Sequence, residues 1–305
     1  MKTPTNVGVS LRNRLTGLAR ERRENAQLLM TRYAIERVLY RLSVSRHKDR
    51  FILKGAMLFG LWAPTPYRAT GDLDLLGLGD NAPDSIAAVF SEILAIPVDD
   101  DGLKFDLATL LAEPARVEDE YSGARLKFVA DLAGARLPIF VDIGYGDAVT
   151  PGPLQIDYPS LLGFAAPRLK AYPPETVVAE KFQALVALGM LNTRMKDFFD
   201  LWAIGGAFSF DGAVLARAMK TTFDRRSTPI PTEMPTALTT AFAATKQGQW
   251  SAFLGRTEIA LAPAPLPMVQ LRIARLAMPP CLAIASSREF DDRWSQGGPW
   301  IGAKR

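Results

Sequence analysis

The hydrophobic positions change rhythm along the chain. Leu11, Leu15 and Leu18 recur at helical spacing after Ser10, which predicts a short helix over 10–20 with Ser10 as its N-cap. Leu28, Ile35, Leu39 and Leu42 predict a longer helix over 23–42, with Arg22, Arg32, Arg37 and Arg41 off its apolar stripe. An apolar run at 51–53 then meets a small-residue turn, Lys54-Gly55-Ala56, and 57–62 has the composition of a buried helix. A second apolar run follows, carrying Asp72 and Asp74. A helix is predicted over 85–95, with Ile86, Val89, Phe90 and Ile93 inward. From Leu103 the alternation shortens to two, predicting strands over 103–105, 115–118, 124–130 and 137–143.

Pro151, Pro153, Pro167, Pro173 and Pro174 punctuate a connector, after which helical spacing returns. Val178, Phe182 and Leu185 predict a helix over 175–188 with Lys181 off its stripe; Met195, Phe198, Phe199 and Trp202 predict another over 194–204. Further helical segments are expected at 212–222, 235–246 and 249–258, with breaks at 228–235 and 262–267. Residues 279–305 show no periodicity. The expected fold is α/β: a mixed, mostly antiparallel twisted sheet flanked by helices, with a C-terminal helical domain closing a cleft over it. The division expected is a basic helical arm (1–50), the sheet core (51–150), the helical domain (151–280) and a loosely held tail (281–305).

Composition narrows the chemistry. The 305 residues are 48% hydrophobic and 22% charged, ordinary for a soluble protein. No uninterrupted apolar run reaches the roughly 18 residues of a membrane span, and 1–10 lack a signal-peptide core, so a cytoplasmic protein with no membrane partner is expected. One cysteine and one histidine leave little room for disulfides, Cys/His zinc sites or histidine triads. His47, among charged neighbours, reads as a solvated loop residue, and Cys281 as packing. Residues 1–50 hold twelve Lys/Arg against four Asp/Glu, a surplus of eight in a chain of net charge +4, leaving 51–305 at −4. Such an arm suits capture of a nucleic acid, or is a solvated helix face.

The remaining chemistry lies in carboxylates and bases. Strand alternation projects Asp72 and Asp74 from one face, and neighbouring like charges call for a neutralising group, typically a hard divalent cation. A solvated strand face or a turn is the alternative. The Lys54-Gly55-Ala56 turn is a place where backbone N–H groups can approach a phosphate. Asp142, within LPIFVDI, is costly in a buried strand without a partner, so it is either a third acid beside the pair or a cap for the following Gly-rich turn. Asp147 reads as a turn residue. Arg194, Asp197 and Asp200 share a helix face, which by itself is a salt-bridged surface.

A small-residue turn, then Asp-x-Asp on a strand, then an acid on a later strand resembles the polymerase-beta-type nucleotidyltransferase superfamily. Arg68-Ala69-Thr70-Gly71-Asp72-Leu73-Asp74 is similar, more narrowly, to the motif of the AbiEii/AbiGii toxin family that includes the MenT toxins. The likeness runs from about Phe51 to about Leu201. Gly55-Ala56 departs from the usual Gly-Gly or Gly-Ser turn and removes a hydroxyl contact. The resemblance implies a nucleotidyltransferase fold and toxin, with Asp72, Asp74 and Asp142 as ligands of Mg2+ or Mn2+. It implies Asp72, Asp74, Lys181 and Asp197 in catalysis. Lys54, Gly55, Ala56, Arg68, Thr70, Lys181, Arg194, Lys196 and Asp200 would serve the nucleotide, with the functional acid left open between Asp197 and Asp200. NTP is then the substrate, RNA (the tRNA 3′ end) the acceptor, and a cognate antitoxin the partner in a phage-defence system. Two rivals stand beside this: a non-catalytic nucleotide- or nucleic-acid-binding regulator, and a nucleotidyltransferase or kinase acting on a protein hydroxyl.

Overall fold

The computed structural model describes residues 6–63, 68, 70–114, 123–257 and 264–302, so Ala69, the expected strand at 115–118, Glu258 and Ala262 lie outside the described residues. The chain divides into two units, residues 1–146 with 154–171, and residues 147–153 with 172–305.

The first unit opens with α1 (Val7–Arg22) and α2 (Ala26–Val44). Asn6, not Ser10, caps α1: its Oδ1 accepts from Val9 N at 3.0 Å, and Ser10 lies within the first turn. Both residues can cap, and the side chain that precedes the first helical turn wins. Asn25 caps α2 in the same way. There follow β1 (Phe51–Lys54), a 3-10 turn (Gly55–Met57), α3 (Leu58–Trp62), β2 (Asp72–Gly77) and α4 (Pro83–Leu94). The unit continues with β3 (Leu103–Pro114), β4 (Gly123–Leu132), β5 (Ala135–Tyr145), β6 (Leu154–Asp157) and β7 (Arg168–Ala171).

Among the described residues these seven strands form one sheet in the order β3-β4-β5-β2-β1-β7-β6. The β2–β5 and β1–β7 pairings are parallel and the others antiparallel, giving the expected mixed sheet flanked by helices. Alternation decides its two faces. Leu126, Phe128, Ala130, Leu137, Ile139, Val141 and Leu73 are buried, while Arg125 and Lys127 on β4 and Asp142 on β5 take the opposite parity and reach solvent. Ile86, Phe90 and Ile93 of α4 are fully buried, and the Phe90 ring meets Phe51 edge-on at 5.5 Å. Each such side chain contributes roughly 1.5–3 kcal/mol by leaving water.

The arginines of α2 are not the solvated face their spacing suggests. Arg37 and Arg41 are buried and converge on Asp101, with Arg37 Nε at 3.1 Å and Arg41 Nη1 at 2.6 Å from its Oδ2. Arg32 is buried against Glu24 at 2.7 Å. Glu36, also buried, accepts from Ser160 Oγ and Leu161 N, and burial pushes its carboxyl above the ordinary range. Three of the twelve N-terminal cations therefore serve the fold. His47 is likewise buried rather than solvated, with Nε2 2.8 Å from Glu92.

The second unit is helical: α5 (Pro174–Leu188), α6 (Met195–Ala207), a short β8 (Phe210–Asp211), α7 (Gly212–Arg225), α8 (Thr240–Arg256) and α9 (Leu266–Ala285). β9 (Arg293–Trp294) and β10 (Trp300–Ile301) complete a small sheet with β8. Phe182, Phe198, Phe199, Met219, Phe223, Phe242, Ile273 and Cys281 form its core. Helix α9 is long and apolar enough to cross a membrane by length and composition, but it packs on α6 and α7, and half of its most apolar window is buried.

Helix α9, which the sequence reading did not anticipate, also runs through Pro279 and Pro280 into the stretch that was expected to lack periodicity. Pro280 has no N–H for the carbonyl four residues back, that of Leu276. Trp300 supplies the missing donor, its Nε1 lying 3.1 Å from Leu276 O. Residues 293–301, expected to be loosely held, are anchored by that bond and by fully buried Trp294, whose Nε1 donates to Gly205 O at 2.8 Å.

Candidate active site

The first unit's candidate site is a row of charges drawn by strand register. Asp74 on β2 stands opposite Asp142 on β5; Asp142 stands opposite Arg125 on β4; Asp74 stands opposite Lys54 on β1. Residues directly paired across a ladder project from the same face. The row reads cation, acid, acid, cation. Asp72, two residues before Asp74, joins that face and is exposed beside Phe140.

Gly55 makes room for the row. Its φ is +72°, and a Cβ there would lie 2.0 Å from Asp74 Oδ2. Both the backbone angle and the space demand glycine. Ala56, beside it, is buried. Arg68 is buried with its guanidinium over the Phe59 ring at 5.6 Å, while Thr70 is half-exposed.

Arg125 is the residue that sequence reasoning missed. Its Nε and Nη2 bind Asp142 Oδ1 and Oδ2 at 2.6 and 2.7 Å, a bidentate fork. Hydrogen bonding to Asp142 raises the Arg125 pKa most, followed by the charges of Asp142, Asp72 and Asp74. The sequence signal was present but indirect, a cation on the exposed parity of a strand whose register was unknown. Asp142, expected as a third metal ligand, is thus occupied by a guanidinium.

Carboxylate oxygens at Asp72 and Asp74 are the donor type a hard divalent cation takes, and the fork on Asp142 shows that this spot already accommodates a cation. Among the described residues no group of three or more Asp, Glu, His or Cys side chains is arranged to hold a metal ion, so the expected Asp72, Asp74 and Asp142 set is not assembled as a three-ligand site. The donor chemistry therefore fits an open two-acid site at Asp72 and Asp74, with Asp142 beside it in the fork with Arg125.

In the second unit, Lys181 does not stand on a free helix face. Its Nζ lies 2.6 Å from Asp197 Oδ1 and 2.9 Å from Asp200 Oδ2, both acids being fully buried on α6. Arg194 Nε is 2.7 Å from Asp197 Oδ2 as an ion pair, without the alignment of a hydrogen bond. Burial alone would push the Asp197 carboxyl up; Lys181 and then Arg194 overrule it and hold it below its ordinary value of 3.8. Both Asp197 and Asp200 are paired with Lys181, so the geometry does not single out either acid. Arg194 and Lys196 are exposed. Asp147, read as a turn residue, is instead paired with Arg226 at 2.8 Å, and Arg226 also reaches Glu180 at 3.4 Å.

The family model of the nucleotidyl transferase AbiEii toxin, Type IV TA system, matches residues 37–275. The chain belongs to the AbiEii family. That places it among nucleotidyltransferase toxins of type IV toxin-antitoxin systems, with a nucleotide substrate and an antitoxin partner. No curated protein matches the sequence. Among solved structures, the chain is similar to an H. pylori protein assigned as a nucleotidyltransferase, at 14% identity and a TM-score of 0.49 over 87% of this chain and 100% of that one. It is also similar to JHP933 from Helicobacter pylori, at 15% identity and a TM-score of 0.48 over 86% and 96%.

Proposed function

We propose that this AbiEii-family protein is a cytoplasmic, metal-dependent nucleotidyltransferase of a phage-defence system. It moves NMP from an NTP to an RNA hydroxyl, that of the tRNA 3′ end, and so blocks translation until its antitoxin intervenes. The observation that supports this reading above all is the register row, which brings Asp72, Asp74 and Asp142 to one solvent-facing patch beside Lys54 and Arg125.

In the reaction the acceptor oxygen bonds to the α-phosphorus as the bond to the β-phosphate bridging oxygen breaks; the hydroxyl proton passes to solvent and pyrophosphate leaves. Bound Mg2+ or Mn2+, held by Asp72 and Asp74 with Asp142 as third ligand, would lower the charge barrier between hydroxyl and triphosphate. Gly55 and Ala56 offer backbone N–H groups to the phosphates, with Lys54 next to that turn and Arg68 and Thr70 on the segment that leads into β2. Lys181, oriented by Asp197 and Asp200, carries charge for the triphosphate, with Arg194 and Lys196 as exposed auxiliaries. The buried acids hold the lysine and do not touch substrate.

A second reading, a nucleotide-binding regulator without transfer, is favoured by the Arg125 fork on Asp142 and by Ala56 in place of a hydroxyl residue. Incubation with α-labelled nucleotides, bulk RNA and protein separates the readings. Label in RNA, absent with Asp72→Asn, supports the proposal; label in protein supports a protein acceptor, and label nowhere supports the regulator.

A further inference from the structure

The charge row has a feature that the transfer reaction by itself does not call for. Asp74 and Asp142 are register partners on adjacent strands, whose backbones run about 5 Å apart. Each has a cation as its other register partner, Lys54 on one side and Arg125 on the other. The four paired residues sum to zero charge before any ion binds. Asp72 breaks the balance, because its β5 partner is Phe140. It leaves the five residues with one net negative charge.

The two flanking cations are not equivalent. Lys54 is followed directly by the Gly55 turn, against which Asp74 is packed with no room for a Cβ. Among the described residues the fork is the one hydrogen-bonded contact of the Arg125 side chain, which is 49% exposed, with that of Asp142 35% exposed. A guanidinium on a long, half-solvated stem leaves a carboxylate at small cost, since exposed pairs contribute about 0–1 kcal/mol. Each Asp142 oxygen accepts one N–H of the fork and keeps a further lone pair, so a metal ion approaching Asp142 has to share those oxygens with Arg125 or displace it, and in either case meets the guanidinium's positive charge.

We propose that Arg125 is a built-in counter-cation of the active site, occupying Asp142 until a divalent ion displaces it, so that this positioning residue sets how readily the site loads metal. The inference rests on the metal-site reading above. Removing Arg125 frees Asp142 and withdraws a repelling charge from beside the incoming ion. Each change alone is a modest effect in high dielectric. Arg125→Gln should therefore bind Mn2+ about tenfold tighter in the absence of nucleotide. Arg125→Lys, which keeps the charge and loses the fork, should fall between Gln and the native protein.

The test titrates Mn2+ alone into the full chain, with free Mn2+ followed by electron paramagnetic resonance, for the native protein, Arg125→Gln, Arg125→Lys, Asp142→Asn and Asp72→Asn. Tighter binding in Arg125→Gln, no longer gained when Asp142→Asn is added, supports the inference. Unchanged or weaker Mn2+ binding in Arg125→Gln, while Asp72→Asn abolishes binding, overturns it and leaves the metal site standing. Binding that is absent throughout, or indifferent to Asp72→Asn, instead overturns the metal-site reading itself. A thermal melt accompanies each variant, and the exposed position of Arg125 makes a shift of no more than a few degrees the expected result.

Discussion

Two carboxylate clusters, one in each unit, use the same side chain for opposite ends. On the sheet, Asp72 and Asp142 stand partly in solvent, and the cation nearest Asp142 is itself half-exposed. On α6, Asp197 and Asp200 have no exposure at all and close on a lysine. A carboxylate that water reaches can trade partners, whereas one sealed from water cannot lose its cation without a large penalty. Solvation, more than the number of acids, separates a set that can meet a ligand from a set that can only hold a neighbour in place.

The contrast is sharpest in activity. Asp72→Asn and Asp74→Asn should each lower nucleotide transfer about a thousandfold or more, since an amide cannot replace an anionic ligand, while the melting temperature stays within a few degrees. A variant that melts early with its residual activity intact would move the sheet acids into the structural class.

Stability should show the reverse. Asp197→Asn leaves Lys181 and Arg194 short of a buried partner and is expected to cost about 3 kcal/mol, as breaking buried pairs does. Lys181→Ala, which removes the cation shared by two buried acids, should cost at least as much, contrary to what its position off the apolar stripe suggests. Denaturant unfolding measures both. If Asp197→Asn proves as stable as the native protein yet inactive, the buried acid acts on the chemistry directly.

Acid reads the same cluster by titration. Asp197 is held below 3.8 in the folded protein, so its stabilisation is present above that pH and is lost as pH falls through the lower folded value. The gap in unfolding free energy between the native protein and Asp197→Asn should be constant near neutrality and narrow below pH 3.8. A gap that persists undiminished at pH 2 would assign the stabilisation to packing.

The smallest effect belongs to the N-terminal arm. Arg32, Arg37 and Arg41 are spent on internal pairs, leaving exposed Arg22, Arg23 and Arg46 among the cations able to meet a phosphate. Replacing Arg22 and Arg23 together by Gln should reduce the salt slope of RNA binding by roughly two and leave free nucleotide binding unchanged. An unaltered slope would show that the acceptor docks elsewhere.

Much of this was legible in the chain, and the rest was hidden for identifiable reasons. Alternation along 124–130 and 137–143 placed both strands and the parity of Asp142, because side-chain direction depends only on local period. It could not place Arg125 beside Asp142, since the two are joined by register and not by spacing. The same holds for Arg37 and Asp101, sixty-four residues apart in sequence, and for Lys181 and Asp197, sixteen apart on different helices. The spacing of α2 showed which arginines left the apolar stripe, but an off-stripe residue is exposed only if nothing else covers it. Cap selection failed at Ser10 because Asn6, four residues earlier, offered the same chemistry.

The bond from Trp300 to Leu276 ties two distant positions into one hereditary unit. Helix α9 carries a defect at Pro280 and borrows its repair from twenty residues downstream. Loss of the indole strands the Leu276 carbonyl, whereas a residue with its own amide in place of Pro280 gives that carbonyl a second donor, which its two lone pairs can accept. The double change restores the balance. The dependence runs one way, and among descendants of this gene the tryptophan should be lost only where the proline has already gone.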